Sequence, residues 1–573
     1  MSSGQPRASR SFETNGSQTV TLPSGQVAHA AHAAHDEVLT RRFYAVRPGV
    51  WCLVGNGLSN QTFVEGPEGI IAIDTGESVQ EMQAALRELR AVSDRPIVAV
   101  LYTHFHYVSG TQAIVDEAGH AVPVYGHERI AINRARAGAE IGPTYGRGVA
   151  EQFGILLPAD GPDALVNVGL GRFFRDPAHA PFTAGHIPVD HPFGATCTLQ
   201  LAGLQIEVQP APSDADDSVT FWFPSLGVAV NNIVWPALFN VFAIRTEEYR
   251  DPRVLLTGLD HLASLGAEHL VGAHGPPISG PDVAERVTRY RDSIQFIWDQ
   301  TVRHANRGLT SSEVGHAIRL PEQCDDDYLT SELYGVAEHH VRQVRAGLFG
   351  FFDGDEANLF PTPRRERADR MIAGFGGRDT VRAQAVAAIN ADDLRWAVEL
   401  GSWLAHSSDA TAEDRTLLAR AIRLIGQRSS AANIRNWCLT RARELDGSTD
   451  NSRLYSHRFP RAGVLANLVQ SVHVLRVVLD PTDAAGIDVR LAWRFVGGAT
   501  AGLHVRNCVA VPTDGLGEAD ATIACTAAVW ADVLAGSVTL SEVIERGDVQ
   551  LTGTAADLAR RALACFDAAG LRA

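Results

Sequence analysis

Apolar and polar positions follow a strand-like pattern in the first half of the chain and a helical pattern in the second. Four short apolar runs, each bounded by glycine, proline or polar residues, predict buried strands at residues 49–54, 61–64, 69–74 and 97–102. Residues 78–92 carry apolar side chains at helical spacing, which predicts a helix between two of these strands. Strands alternating with helices indicate a layered α/β domain, which we assign to residues 36–282.

The pattern changes twice more along the chain. Residues 283–446 have helical spacing throughout, which predicts an all-α domain. A polar linker at residues 447–452 precedes a small α+β domain, residues 453–573, in which residues 473–479 and 502–509 alternate as strands.

Residues 1–35 are polar and rich in serine, glycine and alanine, which predicts a disordered tail. His29, His32 and His35 recur there at every third residue, and we expect them to be solvated rather than to bind a metal. The following 538 residues exceed what one hydrophobic core supports, so several domains are expected.

Charge and cysteine content exclude some classes of protein. A formal net charge of −16 without a dominant basic patch argues against nucleic-acid binding. The seven cysteines are scattered without a C-x-x-C pair, which is typical of reduced thiols in a cytoplasmic protein. Neither a signal peptide nor an apolar stretch long enough to span a bilayer is predicted.

The stretch LYTHFHYVSG at residues 101–110 is the strongest chemical signal. His104 and His106 follow a predicted strand, and their side chains lie on one side of an extended backbone, where they can share a metal ion. An H-x-H pair alone is a weak signal. Asp74, at the end of another predicted strand, and His274, in the loop GAHGPP, add the polar loops expected of a metal-dependent hydrolase.

Several landmarks in order make the chain resemble the metallo-β-lactamase-fold alkylsulfatases, dizinc enzymes that hydrolyse alkyl sulfate esters. They include LSNQTF at residues 58–63, GIIAID at 69–74, FGILLP at 153–158 and FWFP at 221–224. The resemblance implies a metallo-β-lactamase αββα sandwich, an all-α dimerisation domain and a sterol-carrier-like α+β domain. It also implies a homodimer, with the helix at residues 334–346 packed between subunits.

The metal site departs from that family. The family motif is H-x-H-x-D-H. This chain retains its first two histidines as His104 and His106, but Val108 and Ser109 replace the aspartate and the last histidine. By resemblance, Asp214 replaces a glutamate ligand and His274 corresponds to the late histidine ligand. The bridging glutamate aligns with Asn232, or with Asn231 if one residue is shifted. We therefore expect one zinc or other divalent ion per subunit, or none; in the latter case the histidines are hydrogen-bonded loop residues.

The sulfate-holding residues of the family are retained. Asn240 and Arg245 keep the spacing of the asparagine and arginine that hold the sulfate group, and a guanidinium suits an oxyanion. The alternative is a surface arginine paired with Glu247 or Glu248. Trp235 and Phe239 make the expected substrate pocket apolar.

Tyr107 lies between the retained histidines and the lost ligands. It is either a catalytic acid or base with a low pKa beside a cation, or a packed aromatic residue.

Loss of most water-activating ligands beside a retained sulfate site predicts altered chemistry. We expect cleavage of a sulfate-ester C–O bond by intramolecular displacement or elimination in specialised metabolism, which would make the enzyme a lyase or cyclase. The alternatives are a mono-zinc sulfuric ester hydrolase and a non-catalytic scaffold. The expected partners are a small-molecule sulfate ester, a second copy of the chain and, in the scaffold case, a partner enzyme.

Overall fold

A computed structural model of the protein describes residues 11–138 and 140–572. These residues form two compact units, the first within residues 1–131 and 148–451 and the second within residues 132–147 and 452–573. The second unit thus combines a segment from the middle of the chain with its C-terminal part.

The strands of the described residues are, in chain order, β1 (Thr19–Thr21), β2 (Val27–His29), β3 (Arg42–Arg47), β4 (Val50–Val54), β5 (Gln61–Gly66), β6 (Gly69–Ile73), β7 (Ile97–Leu101), β8 (Val124–His127), β9 (His191–Phe193), β10 (Cys197–Leu201), β11 (Leu204–Pro210), β12 (Val219–Phe223), β13 (Val228–Asn231), β14 (His269–Gly272), β15 (Ile278–Ser279), β16 (Val489–Phe495), β17 (Thr500–Arg506), β18 (Val509–Thr513), β19 (Ala521–Cys525) and β20 (Val549–Thr552).

The α-helices are α1 (Ala30–Ala34), α2 (Val79–Arg90), α3 (Gln112–Ala118), α4 (Ile130–Gly138), α5 (Gly142–Gln152), α6 (Pro252–Ser264), α7 (Val283–Ala305), α8 (Ser311–Ala317), α9 (Ala337–Phe349), α10 (Glu356–Leu359), α11 (Arg364–Gly374), α12 (Arg378–Asn390), α13 (Leu394–His406), α14 (Ala412–Gln427), α15 (Ala432–Leu445), α16 (Arg461–Ala466), α17 (Leu468–His473), α18 (Ala527–Leu534), α19 (Leu540–Glu545), α20 (Ala556–Ala564) and α21 (Ala569–Arg572).

Two sheets of the first unit pack face to face. One has the order β3-β4-β5-β6-β7-β8-β9 and the other β10-β11-β12-β13-β14-β15. Side chains such as Ile71 and Leu101 from the first sheet pack against Val208 and Phe221 from the second. The run GIIAI in β6 is buried throughout because both faces of its sheet are covered.

Helices cover the outer faces of both sheets, as expected for an αββα sandwich. Met82 and Leu86 of α2 pack on the first sheet. Leu255 of α6 and Ile294 of α7 belong to the core cluster beneath the second sheet. Helix α2 begins where the sequence predicts, because the Ser78 side chain accepts a hydrogen bond from the Glu81 N–H at 3.2 Å.

Helices α11 to α15 complete the first unit as an all-α region. The second unit contains a sheet of order β18-β17-β16-β19-β20. Trp493 and Leu503 of that sheet are buried in the core of the unit together with Trp530 of α18. No helix of the described residues has the length and apolar character that crossing a membrane requires.

The structure corrects the predicted tail at residues 1–35. The first ten residues lie outside the described range, but β1, β2 and α1 lie within it. His32 and His35 are buried rather than solvated, and the His35 Nε2 lies 2.9 Å from the carbonyl oxygen of Gly169. Contacts distant in sequence therefore order this segment despite its polar composition.

The structure also corrects the predicted strand at residues 473–479. That segment continues α17 as a 3-10 helix over Val474–Val478. Val474, Leu475 and Val478 are buried, which is a helical spacing. Helix α9 packs partly within its own chain, where Val341 and Val344 are buried.

Candidate metal and anion site

The site residues come from loops at one edge of the sandwich. His104 follows β7, Asp214 follows β11, Asn232 follows β13 and His274 follows β14. Strands β6 and β7 are parallel, as are β13 and β14, so their carboxyl ends meet at the same edge of each sheet. Loops at such an edge carry the functional residues of layered α/β folds.

A buried network positions His104. Asp74 accepts hydrogen bonds from the Thr103 N–H at 2.8 Å and the Thr103 hydroxyl at 2.6 Å. The same hydroxyl oxygen lies 2.9 Å from the His104 Nδ1. Because the hydroxyl hydrogen is used on Asp74, the His104 Nδ1 carries the proton and donates it to Thr103. The lone pair of the His104 Nε2 is then available to a metal ion.

His104, His106 and Asp214 converge on one point. Their ligand atoms all lie within 4.8 Å of one another. The His106 Nδ1 is 3.2 Å from the Asp214 Oδ2, and the His104 Nε2 is 3.9 Å from the Asp214 Oδ1. Within the described part of the chain, the buried His104 Nε2 has no hydrogen-bond partner, which is consistent with a ligand position.

The protonation of these residues suits metal binding. Burial lowers the pKa of His104 well below its usual value, so the imidazole is neutral. Burial alone would raise the pKa of Asp214, but the charges that His104 and His106 carry when protonated, a hydrogen bond from His106 and the Arg250 guanidinium outweigh that effect and hold the pKa well below its usual value. Neutral imidazole and ionised carboxylate are the forms that ligate metals.

Asn232 orients Asp214. The Asn232 Nδ2 donates to the Asp214 Oδ1 at 2.8 Å and also to the hydroxyls of Ser213 and Ser218. Asn231, the alternative alignment for the lost glutamate, instead accepts hydrogen bonds from the N–H groups of two following residues. The structure therefore places Asn232, and not Asn231, beside the three-residue cluster.

At the position expected for a second metal, His274 and Tyr107 are hydrogen-bonded to each other. The His274 Nδ1 donates to the Leu58 carbonyl at 2.9 Å, and its Nε2 accepts a hydrogen bond from the Tyr107 hydroxyl at 3.2 Å. Both ring nitrogens are thus engaged within the protein. Val108 is buried in the apolar core with Met82, where it offers no donor. His274 lies outside the cluster formed by the other three predicted ligands.

Of the two roles that the sequence allows for Tyr107, its surroundings favour the packed aromatic residue. Burial and the nearby carboxylate of Asp214 raise the pKa of Tyr107 well above its usual value. Burial lowers the pKa of His274 to about 4, despite its hydrogen bond to Leu58. The shared proton therefore stays on the Tyr107 oxygen, and the neutral His274 accepts the hydrogen bond.

Arg245 lies within the site and not on the surface. Only 6% of the residue is exposed, and its Nη2 is 3.8 Å from the Asp214 Oδ2. Gly148 permits this position, because a Cβ there would lie 2.1 Å from the Arg245 carbonyl oxygen. Of the two acids that the sequence offered as partners, Glu247 forms an ion pair with Arg245.

Asn240 is buried with an unsatisfied amide. Only 1% of it is exposed, and neither its Oδ1 nor its Nδ2 has a hydrogen-bond partner among the described residues. The carbonyl of the same residue accepts a 2.6 Å hydrogen bond from Arg250. A buried amide without partners costs about 1–3 kcal/mol, and such a group is free to contact a ligand.

Aromatic rings line the side of the site towards His274. The Trp235 ring packs on Phe239 with centroids 4.4 Å apart and meets the His274 ring edge-on at 5.7 Å. Both residues are buried. This is the apolar surrounding that the sequence predicts for the substrate.

Sequence reasoning missed Arg250 and the position of Glu247 beside His106. Glu247 forms ion pairs with Arg245 and with Arg250, and its Oε1 is 3.7 Å from the His106 Nε2. The signal was a cluster of charged residues, RTEEYR at 245–250, directly after an apolar segment. Its spacing alone does not show which charges are buried.

Comparisons with known proteins agree with this architecture. Family models match for the metallo-beta-lactamase superfamily at residues 54–203, alkyl sulfatase dimerisation at 310–448 and the alkyl sulfatase C-terminal region at 466–570. A linear primary-alkylsulfatase of Pseudomonas sp. is 34% identical over 524 residues, covering 88% of this chain and 98% of the relative. An (R)-specific secondary-alkylsulfatase of Pseudomonas sp. is 28% identical over 529 residues, covering 89% and 78%.

A solved structure extends the similarity to three dimensions. The stereoselective inverting sec-alkylsulfatase Pisa1 from Pseudomonas sp. superposes with a TM-score of 0.82 at 25% identity, covering 96% of this chain and 88% of that one. The fold, the order of the three matched regions and a relative matched over nearly its whole length agree. The chain belongs to the alkylsulfatase family, with a metallo-β-lactamase domain, a helical dimerisation domain and a C-terminal α/β domain.

Proposed function

We propose that the protein cleaves the C–O bond of an alkyl sulfate ester and releases sulfate as the leaving group. The observation that carries this proposal is the position of Arg245, whose Nη2 is 3.8 Å from the Asp214 Oδ2 of the metal-ligand cluster. An anion-binding guanidinium beside such a cluster suits a sulfate ester. The alkylsulfatase relatives support the substrate class.

In this proposal, different residues of the site contact different parts of the substrate. Arg245 and the Asn240 amide hold the sulfate group and stabilise its charge as the C–O bond breaks. Trp235 and Phe239 contact the alkyl part. Tyr107 keeps its proton and orients the neutral His274 at the edge of the pocket.

His104, His106 and Asp214 fit one divalent ion. Two imidazole nitrogens and one carboxylate are a set of three protein ligands typical of catalytic zinc. A bound ion would supply Lewis-acid polarisation or a water of lowered pKa. We propose at most one ion per subunit, because His274 is engaged by Tyr107 and Leu58.

We infer that the nucleophile is a group of the substrate, or that sulfate leaves by elimination. In displacement, an amine nitrogen forms a bond to carbon while the C–O bond breaks, sulfate takes the electron pair, and the nitrogen loses a proton to solvent. In elimination, a base removes a proton from the adjacent carbon, the C–H electron pair forms a C=C bond, and sulfate leaves with the C–O electron pair. The replacement of two family ligands by Val108 and Ser109 supports this reading, because a two-metal site for activating water is dismantled.

Hydrolysis with one metal ion is the second candidate. The intact three-donor cluster of His104, His106 and Asp214 favours it, because one such set suffices for many metal hydrolases.

Sulfate release in ¹⁸O-labelled water tests these alternatives. An unlabelled cyclic or unsaturated product supports displacement or elimination, and an alcohol carrying ¹⁸O supports hydrolysis. Label in the sulfate would show S–O cleavage and contradict the proposed bond. If no sulfate ester is turned over, alone or with a partner enzyme, the chain acts as a scaffold.

Replacing Asn240 with leucine is expected to raise stability and lower activity. The substitution removes a buried amide without partners, so the free energy of unfolding should rise by about 1 kcal/mol. Loss of a donor to sulfate should lower kcat/KM about 100-fold. Denaturant unfolding and sulfate release measure the two effects. Asn232→Leu is the contrasting variant, because its amide is hydrogen-bonded and its loss should destabilise. A destabilised Asn240→Leu would contradict the assignment.

We infer that residues 349–360 form part of a homodimer interface. This segment exposes several large apolar side chains, above all Phe351 at 79% and Phe360 at 78%, and lies inside the region matched by the alkyl sulfatase dimerisation model. Contiguous apolar surface of this kind marks an interaction site. The double substitution Phe351→Asp with Phe360→Asp is expected to convert a dimer into a monomer in light-scattering chromatography. Val496→Asp, at another exposed apolar position, should leave the dimer intact.

A further inference from the structure

Glu247 places a carboxylate inside the proposed sulfate site. Its side chain is 9% exposed, and it forms ion pairs with Arg245 and Arg250. Its Oε1 is also 3.7 Å from the Nε2 of His106, one of the candidate metal ligands. The two guanidinium groups balance the negative charge of this buried carboxylate.

The charged side chains of this site balance one another before any ion or substrate binds. Arg245 and Arg250 each carry one positive charge, and Glu247 and Asp214 each carry one negative charge. A plain alkyl sulfate would bring its charge next to the Glu247 carboxylate, and like charges in a buried site repel strongly. A substrate that carries a cation beside its sulfate avoids this repulsion and offers Glu247 a partner.

We propose that Glu247 binds a cationic nitrogen of the substrate, so that the substrate class is an aminoalkyl sulfate. This inference rests on the proposed function, since it assumes that Arg245 and Asn240 bind the sulfate. Glu247 and Asp214 both approach the Nη2 of Arg245. The nitrogen therefore lies close to the sulfate, on the carbon next to the ester carbon or one further along.

A purely positioning role for Glu247 makes a different prediction. If Glu247 only holds the two arginines apart and in place, its loss weakens every anionic ligand to the same extent. If it binds the substrate nitrogen, its loss removes the discrimination between ligands with and without an amine. The ratio of two affinities therefore separates the roles.

Binding of two unreactive sulfonates, octane sulfonate and its β-amino derivative, tests the inference by calorimetry. We expect the unmodified protein to bind the amino compound about tenfold more tightly and Glu247→Gln to lose this preference. Glu247→Asp, which retains the charge, should keep it. Glu248→Gln, a change at the exposed neighbouring acid, should keep it too.

Three results would overturn the inference: equal binding of both sulfonates, a preference that survives Glu247→Gln, or equal weakening of both ligands in that variant. Sulfate release from octyl sulfate and its β-amino derivative, measured in parallel, tests the proposed function separately. A binding preference without sulfate release from either ester would reject the proposed function and leave the role of Glu247 in recognition supported.

Discussion

Arg245→Ala is expected to lower kcat/KM for sulfate release about 100- to 1000-fold, which is the effect of removing one preorganised donor from a developing oxyanion. The guanidinium is buried beside the metal-ligand cluster, and its fork of donors cannot be replaced by water at the same geometry. Initial rates of sulfate release across a range of ester concentrations measure the loss.

Arg253→Ala is the matched control for this experiment. Arg253 lies eight positions further along the chain, is exposed, forms an ion pair with Asp251 and lies over the Trp298 ring, away from the metal-ligand cluster. Its loss should change kcat/KM less than about twofold, since exposed ion pairs contribute little. Equal activity in the unmodified protein and Arg245→Ala would remove the anion site from the proposal.

His104→Ala is expected to abolish stoichiometric metal binding. The variant removes one of three clustered donors, and two protein ligands hold a divalent ion far more weakly than three. Elemental analysis of protein purified without chelator should show about one ion per chain before the change and none after it. A parallel fall in sulfate release would show that the ion takes part in the reaction.

His274→Ala distinguishes one metal site from two. Its imidazole is engaged by Tyr107 and Leu58 and lies outside the cluster, so metal content should stay at the level of the unmodified protein. Loss of metal in His274→Ala, or two ions per chain in the unmodified protein, would show that the second position is still in use. If the unmodified protein releases sulfate without a bound metal, Arg245 and Asn240 would be the main catalytic residues.

Local pattern predicted the central strands of the layered α/β domain well, and the family resemblance supplied the sandwich arrangement. The apolar runs before Asp74 and Tyr102 form β6 and β7 within one residue of the predicted ends, because burial on both faces demands continuous apolar sequence. The H-x-H pair, together with the family resemblance that pointed to Asn240 and Arg245, indicated the candidate site. Once the strands are correctly assigned, the short motifs on the loops that follow them can be placed at one edge of the sheet.

The failures have a common physical origin in contacts distant along the chain. The valine-rich segment at 473–479 has strand propensity, but packing of Val474 and Val478 into the core favours a helical turn. Near the N-terminus, Val27 pairs with Thr21, and its carbonyl accepts a hydrogen bond from Arg435. The Tyr107–His274 bond joins residues 167 positions apart, which no local pattern reveals.

That bond also limits which mutational routes lead back to a two-metal enzyme. Freeing His274 requires the loss of the Tyr107 hydroxyl, yet this change alone adds no ligand. Restoring the family aspartate at Val108 places a charge in a packed apolar core, which is costly until a cation is present to neutralise it. Each single substitution is expected to be neutral or harmful, and binding of a second metal ion is expected only when several residues change together. If the chain binds one ion as proposed, a second metal site would therefore require several substitutions together.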